Sequence, residues 1–320
     1  MSVVTASSAA LAWLGRQRVR AIAAVVFIAV AAPPIDALLR PFVTEAIFAL
    51  LCIAFLRVEL TALRRYAARP ALVLTATIWT SLVLPLLCGA VCLAVQLHTR
   101  APDLFVGLML QAVASPMMAA PAFAALMGLD ATLVLTALVA STLLTPFTAP
   151  MFAYAFIGPA LMLSPFALGL KLFAILAGAL LLAVAIRRVV SPVAMRRNSD
   201  QIDGINILLV FIFVAAVMED VAARFLEAPL AMLGLAALAF AVSFALLGLT
   251  AVVFARAGRE RTFALGLMAS QRNMGLMIAA TGGALPDLTW LYFALAQFPI
   301  YLLPLLLEPL ARRLTASAKM

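Results

Sequence analysis

The stretch TFALGLMASQRNMGLMIAATG, residues 262–282, is apolar over a length that crosses a bilayer and carries Ser270, Gln271, Arg272 and Asn273 in succession at its midpoint. A charged side chain at the centre of a bilayer costs about 2.5–3.5 kcal/mol on insertion scales, so Arg272 must face protein or a water-filled cavity. Snorkelling suits arginines at the ends of spans, and this one is in the middle. Gly266 and Gly275 flank the tetrad and let the backbone unwind or approach a neighbour. Arg272 is therefore the first functional candidate.

The whole chain shares this character. Of its 320 residues 67% are hydrophobic and 11% charged, with a mean hydropathy of +1.18. Soluble domains carry about 25% charge, so this composition specifies an all-α polytopic membrane protein in contact with a lipid bilayer. The net charge of +9 comes from arginines in short loops between apolar runs, which orient a membrane protein and do not make a nucleic-acid surface. Cys52, Cys88 and Cys92 sit inside apolar stretches with no CxxC pair and no neighbouring histidine, so they read as packing residues, and no cofactor or metal is expected.

Taken in order, the sequence predicts ten spans: near 19–35, 42–57, 71–96, 103–127, 131–157, 165–186, 203–222, 229–255, 262–282 and 288–311. The N-terminus, with Arg16, Arg18 and Arg20 before an apolar run, imitates a signal peptide and is read as an uncleaved first span. Span four holds Pro116 and Pro121, each of which removes an intrahelical hydrogen bond, so it is expected to be broken. With ten spans, the arginine clusters before span one and after spans two, six, eight and ten share one side, whereas Asp36, Asp103, Glu219, Asp220, Glu227 and Asp287 fall mainly on the other. That asymmetry predicts a cell (inner) membrane protein with both termini cytoplasmic.

Five spans in residues 1–160 and five in 161–320 must have opposite orientations. Phe105, Gly107, Leu108, Met109 and Gln111 in span four are echoed by Phe263, Gly266, Leu267, Met268 and Gln271 in span nine. An inverted repeat with interrupted helices in matching positions points to the midplane binding site of a secondary transporter. An intramembrane enzyme would need paired carboxylates, or a nucleophile with a base, at membrane depth; the single histidine, His98, is peripheral, and no enzyme is expected. A membrane sensor or structural protein is the other alternative.

The segments LRVELTALRRYAARPALVLTATIWTSLVLPLL, SPMMAAPAFAALMGLDATLVL with STLLTPFTAP, and FALGLMASQRNMGLMIAA together resemble the bile acid:sodium symporter superfamily. The resemblance implies a panel domain (spans 1, 2, 6 and 7) and a core domain (spans 3–5 and 8–10). It also implies that helices four and nine cross at their breaks and that organic anions move by alternating access. Against the sodium-coupled members, the acidic ligand position falls on Met268 and the span-nine glutamine on Arg272. The serine–asparagine pair falls near Ala120, Pro121 and Ala122, the span-five hydroxyls near Val134 and Leu138, and the span-three glutamine near Thr80. Methionine, alanine and leucine offer sodium no oxygen, and an arginine repels it.

The resulting expectation is a transporter of a small organic anion that is not coupled to sodium, with Arg272 as a built-in cation. Its substrate-binding candidates are Arg272, Asn273, Ser270, Gln271, Ser115 and Asn206. An arginine at this depth without a carboxylate must bond carbonyls exposed by the helix breaks, or a substrate anion. The alternative is an ordinary sodium-coupled organic anion symporter. His98 and Lys171 are expected to be solvated or snorkelling, and the methionines near the breaks to pack adaptably.

Overall fold

The computed structural model describes residues 3–31, 38–58, 70–158 and 163–316. Asp36 and three arginines of the cluster after span two, Arg64, Arg65 and Arg69, lie outside them, as does most of the loop joining the two halves. The main helices are α1 (Val3–Val30), α2 (Val43–Leu56), α3 (Pro70–Ala94), α4 (Pro102–Val113), α5 (Ala120–Leu126) and α6 (Ala131–Ile157). They continue with α7 (Pro165–Val189), α8 (Ser199–Val217), α9 (Pro229–Val253), α10 (Arg259–Ser270), α11 (Met274–Thr281) and α12 (Asp287–Ala316). No strand occurs among the described residues, only one isolated antiparallel bridge. Six stretches are long and apolar enough to span a membrane: α3, α6, α7, α8 extended to Glu227, α9 and most of α12. The protein is thus an all-α protein of membrane type.

The first span was expected near 19–35, but α1 runs over Val3–Val30 and carries its arginines inside the helix. The preceding VTASSAALAWLG holds no proline and, Gly15 apart, is rich in strong helix formers, so the helix continues through the arginines.

Contacts divide the chain into two compact units, residues 1–58 with 174–229 and residues 59–173 with 230–320. In the first, α1 and α2 pack on α8. The α1–α8 approach is backbone on backbone: a Cβ on Gly15 would meet the Asp200 carbonyl, and one on Gly204 the Leu11 carbonyl. Small residues permit such contact in a bilayer, where helix association relies on close packing. Arg16 lies 3.7 Å from Asp200, and Arg57 pairs with Asp203 at 2.5 Å. Arg187 donates to the carbonyls of Leu56 (2.6 Å) and Val58 (2.5 Å), satisfying groups that the end of α2 leaves without intrahelical partners.

The second unit is built around α4, buried from Phe105 to Val113 and packed on α12 and α3. Gly107 allows the α12 contact, since a Cβ there would lie 3.2 Å from the Tyr292 ring. The Tyr292 hydroxyl donates to Gln111 Oε1 within this interface. Asp130 caps α6, accepting from the Leu133 N–H at 3.0 Å, and pairs with Arg261 at 3.4 Å. Trp79 Nε1 donates to the Thr250 hydroxyl at 2.9 Å, tying α3 to α9.

Candidate functional site

Two interruptions meet inside the second unit. Pro116 has no N–H and restricts Ser115 to extended backbone, so α4 stops at Val113; the chain re-enters a helix at Ala120, with Pro121 in its first turn. The other helix ends at Ser270 and restarts at Met274, where Asn273 is the N-cap and accepts from the Leu276 N–H at 3.0 Å. Pro116 and Arg272 form the isolated bridge. The Met117 N–H donates to the Gln271 carbonyl at 2.7 Å, and the Asn273 N–H to the Ser115 carbonyl at 2.8 Å. Each break thereby satisfies the backbone groups that the other exposes, as an interior without water requires.

Side chains alternate across paired extended backbone, so Arg272 and Pro116 project to one face and Ser115, Met117, Gln271 and Asn273 to the opposite one. Arg272 is 1% exposed, and its Nη1 donates to the carbonyls of Ala114 (3.0 Å) and Thr80 (3.2 Å) while Nη2 reaches Thr80 at 3.3 Å. The guanidinium makes no ion pair with Asp or Glu among the described residues, and its Nε has no hydrogen-bond partner.

Both acceptors are free for a local reason. Ala114 is the extended residue that ends α4 (ψ 144), so its carbonyl has left the helical ladder. Around Thr80, α3 contains a π turn over Trp79–Val83 in which the Leu84 N–H bonds the Trp79 carbonyl. In a regular α-helix that N–H would go to Thr80, and the next donor along the chain would be Pro85, which has none. The Thr80 carbonyl therefore has no helical donor left, and Arg272 supplies two. The Thr80 hydroxyl continues the connection to α6, 2.9 Å from the Ser141 hydroxyl.

The other candidates divide. Gln271, wholly buried, donates from Nε2 to the Ile300 carbonyl at 2.9 Å, and its Oε1 is unpartnered. The Ser270 hydroxyl donates back to Leu267 at 2.8 Å within its own helix. The Ser115 hydroxyl is buried and unpartnered, whereas Asn273 is only partly buried. Asn206 lies in α8 of the first unit, half-buried. Of the positions aligned with sodium ligands, Met268, Ala120, Val134 and Leu138 are all buried apolar side chains. His98 and Lys171 are exposed. Sequence reading missed the Thr80 and Ala114 carbonyls; the available signal was Pro85 placed one turn after Thr80.

Comparison with protein-family models finds no match for this chain, and comparison with curated proteins finds none either.

Proposed function

We propose that the protein is a secondary transporter of a small organic anion, working by alternating access without sodium coupling. One observation carries this reading: a buried arginine with no carboxylate partner among the described residues holds two paired helix breaks together through carbonyls on α3 and at the end of α4. A bound cation would do the same electrostatic work at such a crossing, and Arg272 supplies a charge that never leaves. The fixed positive charge and the N-terminal end of α11 both favour a negatively charged solute. Asn273, Ser115 and Gln271, on the face opposite the guanidinium, together with Ser270, are the polar groups of the second unit assigned to solute; Arg272 acts on it by charge.

The reading includes ten spans in an inverted repeat, cytoplasmic termini, and a place within the bile acid:sodium symporter superfamily. It is supported by the two interrupted helices and by the division into two compact units, whose relative movement would be the alternating-access step.

The test is uptake of radiolabelled small organic anions into proteoliposomes, across a sodium titration at constant ionic strength. Wild type should show saturable uptake that does not respond to sodium. Arg272→Met should abolish uptake, and Arg272→Lys should keep part of it, retaining the charge but losing the planar fork. A saturable sodium requirement in wild type, or full uptake by Arg272→Met, refutes the reading and returns the chain to the sodium-coupled alternative.

A further inference from the structure

The end of α7 and the connection into α8 carry basic residues that the first unit does not neutralise. Of the six long apolar stretches α7 is the least enclosed. In its second half Leu181, Val184 and Arg188 follow one another at helical spacing on a single stripe, with Leu181 69% and Val184 40% exposed. Arg188 is exposed beside them, and Val189, which ends the helix, is 86% exposed. The connection itself is ordered. Its short helix Pro192–Arg197 is capped by Ser191, whose hydroxyl accepts from the Ala194 N–H at 3.2 Å, and closed by Asn198, whose Nδ2 donates to the Ala194 carbonyl at 2.9 Å. Val193, Arg196 and Arg197 are left exposed on it.

Neighbouring charges are engaged elsewhere. Arg16 and Arg57 pair with Asp200 and Asp203, and Arg187 turns inward to the carbonyls of Leu56 and Val58. Arg188, Arg196 and Arg197 make no ion pair or hydrogen bond among the described residues. Three unpaired guanidiniums at the end of an exposed apolar stripe match the two parts of a phospholipid, a phosphate and its acyl chains. A soluble polyanion would use the charges but leave Val189 and Val193 in water.

We propose that this patch binds an anionic phospholipid, whose phosphate pairs with Arg188, Arg196 and Arg197 while its chains lie along Leu181, Val184 and Val189. The site stands independently of any solute transport.

The experiment uses the full-length protein in an uncharged detergent, titrated with phosphatidylglycerol or phosphatidylcholine, and reads bound lipid by native mass spectrometry alongside the melting temperature. Wild type should bind phosphatidylglycerol in preference and melt higher with it, and the binding should weaken as salt is added. Each arginine near an anionic surface contributes about fivefold, so the combined Arg188→Gln, Arg196→Gln and Arg197→Gln variant should bind about 100-fold more weakly. Lysine at the same three positions should keep most of the binding, because charge carries it. Arg100→Gln, which removes an exposed arginine from the turn after α3, should bind as wild type does. Equal binding of phosphatidylcholine, undiminished binding by the triple glutamine variant, or as great a loss with lysine or with Arg100→Gln would overturn the proposal. So would an equal rise in melting temperature with glycerol phosphate, which would make this a site for a soluble anion.

Discussion

Pro85→Ala should partly rescue the stability lost in Arg272→Met, although the two positions are on different helices. Replacing the arginine removes bonds of 3.0, 3.2 and 3.3 Å and leaves the Ala114 and Thr80 carbonyls buried without these donors. A buried polar group left unpaired costs about 1–3 kcal/mol, so the loss is about 2–6 kcal/mol. Relief from burying an unpaired charge works in the opposite direction and places the expectation in the lower half of that range. Alanine at position 85 restores an N–H and lets α3 return to the regular ladder, in which Leu84 donates to Thr80. In Arg272→Met that satisfies an orphaned carbonyl and should recover about 1–3 kcal/mol. In wild type the same change competes with the guanidinium for its shared acceptor, so no such gain is expected. Equilibrium unfolding of the four proteins in mixed micelles measures the coupling by a double-mutant cycle. Effects additive within about 0.5 kcal/mol would refute the account of why Thr80 is available to Arg272.

Two further substitutions test packing and capping by the same unfolding measurement. Gly204→Ala should destabilise by about 1–3 kcal/mol, because its Cβ would enter the space of the Leu11 carbonyl. Gly234→Ala, where a Cβ meets nothing within 4 Å, should instead stabilise α9 by about 0.5–1 kcal/mol; stabilisation at both sites would contradict the close α1–α8 contact. Asp130→Ala should cost about 0.5–2 kcal/mol through loss of the α6 cap, and Asp130→Asn should restore most of it. Equal losses in the two variants would assign the effect to the Arg261 ion pair.

The sequence by itself determined the class of the protein and the places where two of its apolar stretches are interrupted. Class follows from composition, because a chain that is 67% hydrophobic and 11% charged has no soluble core in which to hide so much apolar surface. The interruptions are local: Pro116 and Pro121 remove donors whatever surrounds them, and Asn273 is a good N-cap in any context. The extent of α1 was not legible in the same way, since an arginine cluster suggested a boundary and nothing in the backbone enforced one.

Only the tertiary structure decided what Arg272 does. Its burial without a carboxylate was readable from the span; its acceptor was not, because Thr80 lies 192 positions away and its carbonyl is free only through the π turn before Pro85. The pairing of Pro116 with Arg272 likewise decided that the guanidinium and Ser115, Gln271 and Asn273 occupy opposite faces. Adjacent letters in QRN read as one cluster, but extended backbone alternates their directions, and that conformation exists only because a second break 156 residues earlier supplies its partner.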